Sequence, residues 1–262
     1  MMRLTKISQQ IRYCNRIRKS SSPIHYRYFG DNTNSSGIHK TGDVIVMSGG
    51  VESSTLLYYL AKQHNQSDLT NTIFPIFANY GQRGHLMELK ASKYMCDQFG
   101  LKLETIDLNA AGEFFRSRQK LKRHVPIPHR NFVILSLALG YCSELITESS
   151  TSTNPITNIN LHLGLNKDDL SKNDYNSGTL KFVDAFKTVS NILDPKVTIQ
   201  TPLVQYTKHD LLHLAQDLQV DLTKTYSCMT GKENHCGHCM QCKSRKEAFK
   251  LAGISEPTDF YK

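Results

Sequence analysis

The junction after the apolar run Val44 to Met47 constrains the fold of this chain most strongly. The run stops at Ser48-Gly49-Gly50, after which apolar residues recur at helical spacing: Leu56, Leu57, Leu60 and Ala61. This pattern predicts a strand, a tight turn and a helix. Glycines let the backbone turn sharply and present successive N–H groups, and a helix N-terminus adds unpaired donors and a positive dipole end. The junction therefore predicts an anion-binding loop.

The candidate phosphate ligands are the backbone and hydroxyl groups of this loop: Ser48, Gly49, Gly50, Val51, Ser53 and Ser54. The Walker pattern is absent, because no Gly-Lys-Ser or Gly-Lys-Thr follows at the required distance. An ordinary strand-to-helix turn with a serine cap is the alternative that the residues alone leave open.

The rest of the chain alternates between strand and helix patterns. Strands are predicted at 72–79, 103–107, 160–165 and 197–201, and helices at 86–99, 130–144 and 207–218. Such alternation is typical of a doubly wound parallel sheet, the α/β class with a Rossmann-like arrangement. We place the α/β domain at 43–224, with a polar insertion at 147–159 in which Ser, Thr and Asn dominate. A small C-terminal unit follows at 225–262.

Four of the seven cysteines crowd together near the C-terminus: Cys228, Cys236, Cys239 and Cys242. An odd number of cysteines and no secretory signal argue against a disulfide framework. Two Cys-x-x-Cys spacings within fifteen residues predict a closed tetrahedral Zn²⁺ site. His235 and His238 rank below the thiols as ligands, and an iron–sulfur cluster is the less favoured alternative.

Most of the excess positive charge lies at the start of the chain. The formal net charge is +9, but seven of the nine excess charges lie in residues 1–30, which contain no acid. Direct nucleic-acid binding by the body of the protein is therefore not expected. The leader 1–42 fits either a mitochondrial presequence or a basic disordered tail, so the predicted location is mitochondrial or cytoplasmic. No run of about 20 uninterrupted apolar residues occurs, which predicts a soluble protein with no membrane partner.

The loop Ser48-Gly49-Gly50-Val51-Glu52-Ser53 resembles the pyrophosphate loop (PP-loop) of the adenylating ATP pyrophosphatases, which reads Ser-Gly-Gly-x-Asp-Ser. Those enzymes bind ATP, transfer AMP to an oxygen atom and release pyrophosphate from the loop. Glu52 stands where that family has Asp.

Taken with the cysteines, further motifs resemble one family, the 7-cyano-7-deazaguanine synthases of the queuosine precursor pathway. They are Tyr80-Gly81-Gln82-Arg83, Arg130-Asn131 after Val125-Pro126, Gly164-Leu165-Asn166, Pro202-Leu203, Thr207-Lys208 and the C-terminal stretch Thr225 to Ile254. The family's Ser-Gly-Tyr-Pro-Asp-Cys-Arg run has no Pro-Asp-Cys-Arg equivalent at 169–176, and Pro128 and His129 precede Arg130 as extra residues.

The resemblance implies an ATP- and Mg²⁺-dependent ligase with a structural Zn²⁺. ATP would activate 7-carboxy-7-deazaguanine, ammonia would give the amide, and a second ATP would allow dehydration to the nitrile. Glu52, Arg130 and Lys208 are the catalytic candidates that it implies, Glu52 at the phosphate loop and the two cations near phosphates or the substrate carboxylate.

Three alternatives remain open at this point. The chain could adenylate another acid or use another amine, it could adenylate a tRNA base, or it could be a non-catalytic zinc protein. The sequence does not decide whether the chain forms a homodimer.

Overall fold

The first strand of the chain is the central strand of the sheet. The structure, a computed structural model, describes residues 40–119, 126–170 and 178–257. All of them belong to one unit, Ile38–Lys262. Residues 1–39 of the predicted leader lie outside the described part, and β1 begins at Lys40, a little before the expected domain boundary.

The described residues form five strands, all parallel, in the order β3-β2-β1-β4-β5. The strands are β1 (Lys40–Met47), β2 (Ile73–Asn79), β3 (Glu104–Asp107), β4 (Ile156–His162) and β5 (Val197–Gln200). The helices are α1 (Val51–Gln63), α2 (His85–Asp97), α3 (Asn109–Arg116), α4 (Arg130–Ser149), α5 (Lys167–Leu170), α6 (Leu180–Leu193), α7 (Lys208–Asp217) and α8 (Met240–Ala252). Two 3-10 segments add Gln66–Asn71 and Leu222–Lys224.

Both faces of the sheet are covered, as the doubly wound fold requires. Side chains alternate along β1, so Ile45 and Met47 pack in one core with α1 and α7, whereas Val44 packs in the other with α4 and α6. Strands buried on both sides read as continuous apolar runs. The predicted fold class is therefore confirmed.

The polar stretch 147–159 differs from the predicted insertion. Helix α4 continues to Ser149 and β4 begins at Ile156, so only six residues connect them. Ile156 and Ile159 are buried in the core, and the Ser149 hydroxyl bonds the backbone of Ile156. Strand β4 was predicted too late because Thr157 and Asn158 interrupt its apolar pattern.

Helix α4 is the one helix in the described ranges that is long and apolar enough, by length and composition alone, to cross a membrane. In this fold it packs on the sheet through Leu135, Leu139 and Cys142, which are buried in the core.

The strand order reverses direction between β1 and β4. The chain runs outward from β1 through β2 to β3 on one side and through β4 to β5 on the other. Ligands of open α/β sheets bind at the carboxyl ends of the strands at this switch point. Ser48 follows β1, and Leu163 and Gly164 follow β4, so both motifs meet at that edge.

Candidate active site

The loop after β1 has the tight geometry that its glycines predict. Gly49 lies in the left-handed region with φ of 70°, and Gly50 is the N-cap of α1. A Cβ on Gly49 would approach the carbonyl oxygen of Glu88 to 2.5 Å and the Cβ of Ala91 to 2.8 Å. Because α2 packs directly on this loop, only glycine fits at position 49.

Two serines of the loop are held together by hydrogen bonds. The backbone N–H of Ser48 donates to the hydroxyl of Ser53 over 3.1 Å, and the two hydroxyls also lie 3.1 Å apart. Ser54 is placed differently, since its N–H donates to the Gly50 carbonyl and its buried hydroxyl has no partner among the described residues. The side chain of Ser54 lies on the face of α1 that is buried in the core, so it is not a phosphate ligand here.

A cleft of about 480 Å³ opens at the switch point. Ser48, Gly50 and Ser53 of the loop form part of its wall, whereas Gly49 and Val51 lie behind that surface. Strand ends and helix N-termini supply further wall residues, among them Phe77, Ala78, Tyr80, Arg130, Asn131, Ile134, Gly164, Leu165 and Lys208. Apolar walls with a few convergent polar groups are typical of a small-molecule site.

Glu52 and Lys208 form an ion pair at the edge of this cleft. The Lys208 Nζ lies 2.9 Å from Glu52 Oε1, and the amide of Asn166 lies 3.4 Å from the same oxygen. Burial by itself would raise the pKa of Glu52, but the charge and hydrogen bond of Lys208, a backbone hydrogen bond and the Arg245 charge together outweigh it, and the pKa is lowered. Burial likewise opposes the charge on Lys208, yet Glu52 raises its pKa. Both groups therefore stay charged at neutral pH.

Local structure fixes the position of Lys208. Thr207 caps α7 in a capping box with Asp210, and the backbone N–H of Lys208 donates to Asp168 over 2.9 Å. The first residue of a capped helix has a fixed direction, so the ammonium is held toward the cleft.

Arg130 stands on another wall, as the first residue of α4. Its Nη1 donates to the Tyr80 hydroxyl over 2.7 Å, and its Nε donates to Asn131 over 3.1 Å. His129 before it takes the left-handed conformation, with φ of 51°. The extra residues Pro128 and His129 therefore belong to the turn that directs Arg130 toward the cleft. All three catalytic candidates, Glu52, Arg130 and Lys208, line one cleft.

Glu88 is a cleft residue that the sequence did not single out. It lies on α2 and accepts a hydrogen bond from Gln82 Nε2 over 2.9 Å. Burial raises its pKa above the ordinary value, although Gln82 and the Arg130 charge act against this. Its place after the Gly81-Gln82 motif, one turn into a helix, was the available signal.

The four predicted metal ligands come together. The sulfur atoms of Cys228, Cys236, Cys239 and Cys242 all lie within 4.8 Å of one another. Gly237 turns the chain with φ of 72°, and Cys239 caps α8 by accepting from the Cys242 N–H. His235 is used elsewhere, because its Nε2 accepts from the Ser227 N–H over 2.9 Å. The thiols, and not His235, form the cluster that could hold a metal ion.

Comparison with known proteins agrees with this arrangement. Residues 42–253 match the family model described as "Queuosine biosynthesis protein QueC". The chain is 35% identical over 217 residues to 7-cyano-7-deazaguanine synthase 1 of Sulfurisphaera tokodaii, covering 83% of this chain and 96% of the relative. It is 27% identical over 239 residues to 7-cyano-7-deazaguanine synthase of Methanobrevibacter smithii, with 83% and 96% covered.

Solved structures resemble the chain less. The NH3-dependent NAD synthetase of Campylobacter jejuni aligns over 71% of this chain and 69% of its own, with a TM-score of 0.45 and 17% identity.

The doubly wound parallel sheet, with a Ser-Gly-Gly loop at its switch point, places the chain in the α/β class. Within that class, the chain belongs to the QueC family of queuosine biosynthesis. The predicted family, and with it an ATP-dependent enzyme of queuosine precursor synthesis, is confirmed. Of the stretch 169–176 that departs from the family run, residues 171–176 lie outside the described part.

Proposed function

We propose that this chain converts 7-carboxy-7-deazaguanine and ammonia into 7-cyano-7-deazaguanine with ATP, through an acyl adenylate and an amide. One observation carries the proposal: in a chain of this family, a serine- and glycine-lined loop opens into a 480 Å³ cleft that also contains the cationic side chains of Arg130 and Lys208. The cleft is large enough for a fused-ring acid beside a nucleotide.

The loop would bind the β- and γ-phosphates of ATP. The N-terminus of α1 favours negative charge, and the hydroxyls of Ser48 and Ser53 lie on its cleft side. As the carboxylate oxygen attacks the α-phosphorus, negative charge grows on the departing pyrophosphate. Donors already fixed in position would stabilise that charge without reorganising.

The two cations would act at different points of the substrates. Lys208 lies beside the loop, where it would neutralise phosphate oxygens once the triphosphate competes with Glu52 for its ammonium. Arg130, across the cleft, would orient the substrate carboxylate, because a guanidinium can hold both carboxylate oxygens.

Two metal ions complete the proposal. Mg²⁺ would arrive on the triphosphate, and Glu52 is the carboxylate at the loop that fits the one-carboxylate-plus-phosphate setting of this ion. Zn²⁺ would be held by the four cysteines, whose sulfurs already receive backbone N–H groups, as from Cys236 to Cys228 over 3.3 Å. Zn²⁺ there would stabilise the C-terminal unit and take no part in the reaction.

Product analysis tests the proposal. Purified protein with ATP, Mg²⁺, ammonium and 7-carboxy-7-deazaguanine should release AMP and pyrophosphate and form the amide and then the nitrile. Ser53→Ala should slow AMP release, and Ser136→Ala on the exposed side of α4 serves as its matched control. AMP formation equal to that without enzyme would reject this substrate, and AMP formation that requires tRNA would support adenylation of a tRNA base instead.

A further inference from the structure

The Glu88 side chain occupies a part of the cleft that the proposed roles leave unassigned. Its helix, α2, packs against the phosphate loop so closely that the Glu88 carbonyl oxygen excludes any side chain at Gly49. The carboxyl group itself lines the cleft beside Gly84 and faces the same space as Ser48 and Arg130. Glu88 is thus next to the place where the proposed reaction occurs.

One oxygen of this carboxyl group is fixed and the other is available. Oε2 accepts from Gln82 Nε2, whose second N–H donates to the Ala78 carbonyl, while Gln82 Oε1 accepts from the Tyr80 N–H. Gln82 has therefore no freedom to turn and holds the carboxyl group in one orientation. Oε1 has no hydrogen-bond partner among the residues that the structure describes.

The surroundings of Glu88 suit proton transfer. Burial raises its pKa, while Gln82, the Arg130 guanidinium on α4 and His85 on its own helix act in the opposite direction. A carboxyl group with a raised pKa in a cleft is a candidate for general acid–base catalysis, because its pKa lies nearer the operating pH.

We propose that Oε1 of Glu88 accepts the proton from the nitrogen that attacks the activated acid, an assignment that rests on the proposed function. Ammonia forms a C–N bond to the acyl adenylate, the C–O bond to AMP breaks, and the cationic nitrogen transfers one proton to Glu88. The products are the amide, AMP and protonated Glu88, which then loses its proton to water. In the second adenylation the amide oxygen bonds to the α-phosphorus of ATP and pyrophosphate leaves. The nitrogen then gives up both of its protons, one to Glu88 and one to water, as the C–O bond to AMP breaks, and the products are the nitrile and AMP.

Glu88→Gln isolates this role. Glutamine keeps an oxygen that can accept from Gln82 but cannot take a proton. Exchange of labelled pyrophosphate into ATP, driven by 7-carboxy-7-deazaguanine, reports adenylation before any N–H proton moves. We expect that exchange to stay near the wild-type rate while amide formation falls by about 100-fold, the order of a general-base contribution.

Two comparisons separate a proton acceptor from a structural residue. Hydroxylamine is less basic than ammonia and its adduct loses a proton more readily, so hydroxamate formation by Glu88→Gln should fall far less than amide formation. Glu88→Asp, which keeps a carboxylate, should recover part of the amide rate. Asp97→Asn, an exposed acid at the other end of α2, is the matched control and should behave as wild type.

The outcomes are distinct. Parallel loss of exchange and amide formation in Glu88→Gln, or no loss of either, would overturn the inference even when the wild-type protein is active. If Glu88→Gln does not fold, the rates of pyrophosphate exchange and amide formation are compared in Glu88→Asp instead. Absence of acid-dependent exchange in the wild-type protein would instead reject the proposed function, and the role of Glu88 with it.

Discussion

The backbone N–H of Tyr226 donates to the carbonyl oxygen of Gly49 over 2.7 Å. Tyr226 precedes the ligand candidate Cys228 by two residues, and Gly49 is the centre of the phosphate loop. The four-cysteine unit therefore supports the loop directly, through a main-chain hydrogen bond. Metal binding and nucleotide binding should be coupled through this contact.

Loss of the metal site should weaken nucleotide binding as well as stability. In Cys239→Ser, one of four ligands is lost, and because metal binding energy here is folding energy, we expect the melting temperature to fall by about 10 °C. Calorimetry with a nonhydrolysable ATP analogue should show weaker binding. Lys243→Ala, an exposed change on the same helix, is the control. ATP binding unaffected by loss of the metal would contradict the coupling.

Gly49→Ala should destabilise the protein. The left-handed backbone, and a Cβ 2.5 Å from the Glu88 carbonyl oxygen, leave no space for a methyl group. A cost of about 1–3 kcal/mol is expected from strain of this kind. Gly140→Ala is the opposite case, since nothing lies within 4 Å of its Cβ position in α4, and it should stabilise by about 0.5–1 kcal/mol. Urea unfolding of both variants measures the difference.

Lys208→Met should weaken binding of ATP and pyrophosphate. Methionine keeps much of the apolar stem but removes the ammonium, so a charged hydrogen bond of about 1.5–3 kcal/mol is lost. Affinity should fall by roughly 10- to 100-fold. Lys90→Met, on the exposed side of α2, should bind both ligands as wild type does. Equal affinities of Lys208→Met and Lys90→Met for ATP and pyrophosphate would show that Lys208 does not bind the phosphates.

A buried carboxylate away from the cleft should control acid stability. Asp43 on β1 accepts from His64, His162 and Asn160 over 2.6, 2.8 and 3.0 Å. Burial opposes its charge, but these donors outweigh it and hold the pKa of Asp43 far below the ordinary 3.8. Because the folded-state pKa is depressed, this stabilisation is fully present above pH 3.8 and declines as pH falls below that value.

Asp43→Asn tests that statement. The neutral amide leaves buried donors poorly matched, so we expect a loss of about 3 kcal/mol at neutral pH. The difference between wild type and variant should shrink in acid. A constant difference across the acid range, measured by urea unfolding, would show that the charge of Asp43 does not stabilise the fold.

The sequence predicted the features that depend on local pattern. Apolar runs located the strands, two glycines located the loop, and cysteine spacing located the cluster of four thiols. The start of β4 was missed because its polar residues Thr157 and Asn158 lie in a strand whose burial depends on neighbours distant in sequence. The contact of Tyr226 with Gly49 was missed for the same reason, since packing of the C-terminal unit on the loop is not encoded in any short pattern. Glu88 follows a recognisable motif, but only the packing of α2 on the loop places it in the cleft.

Oxygen tracing tests the central claim most directly. 7-Carboxy-7-deazaguanine labelled with ¹⁸O in its carboxylate is incubated with the protein, ATP, Mg²⁺ and ammonium, and the nucleotide products are analysed by mass spectrometry. If the acid is adenylated on the loop, the label appears in the phosphate of AMP, with pyrophosphate as the partner product. Unlabelled AMP, or ADP with inorganic phosphate, would contradict the account.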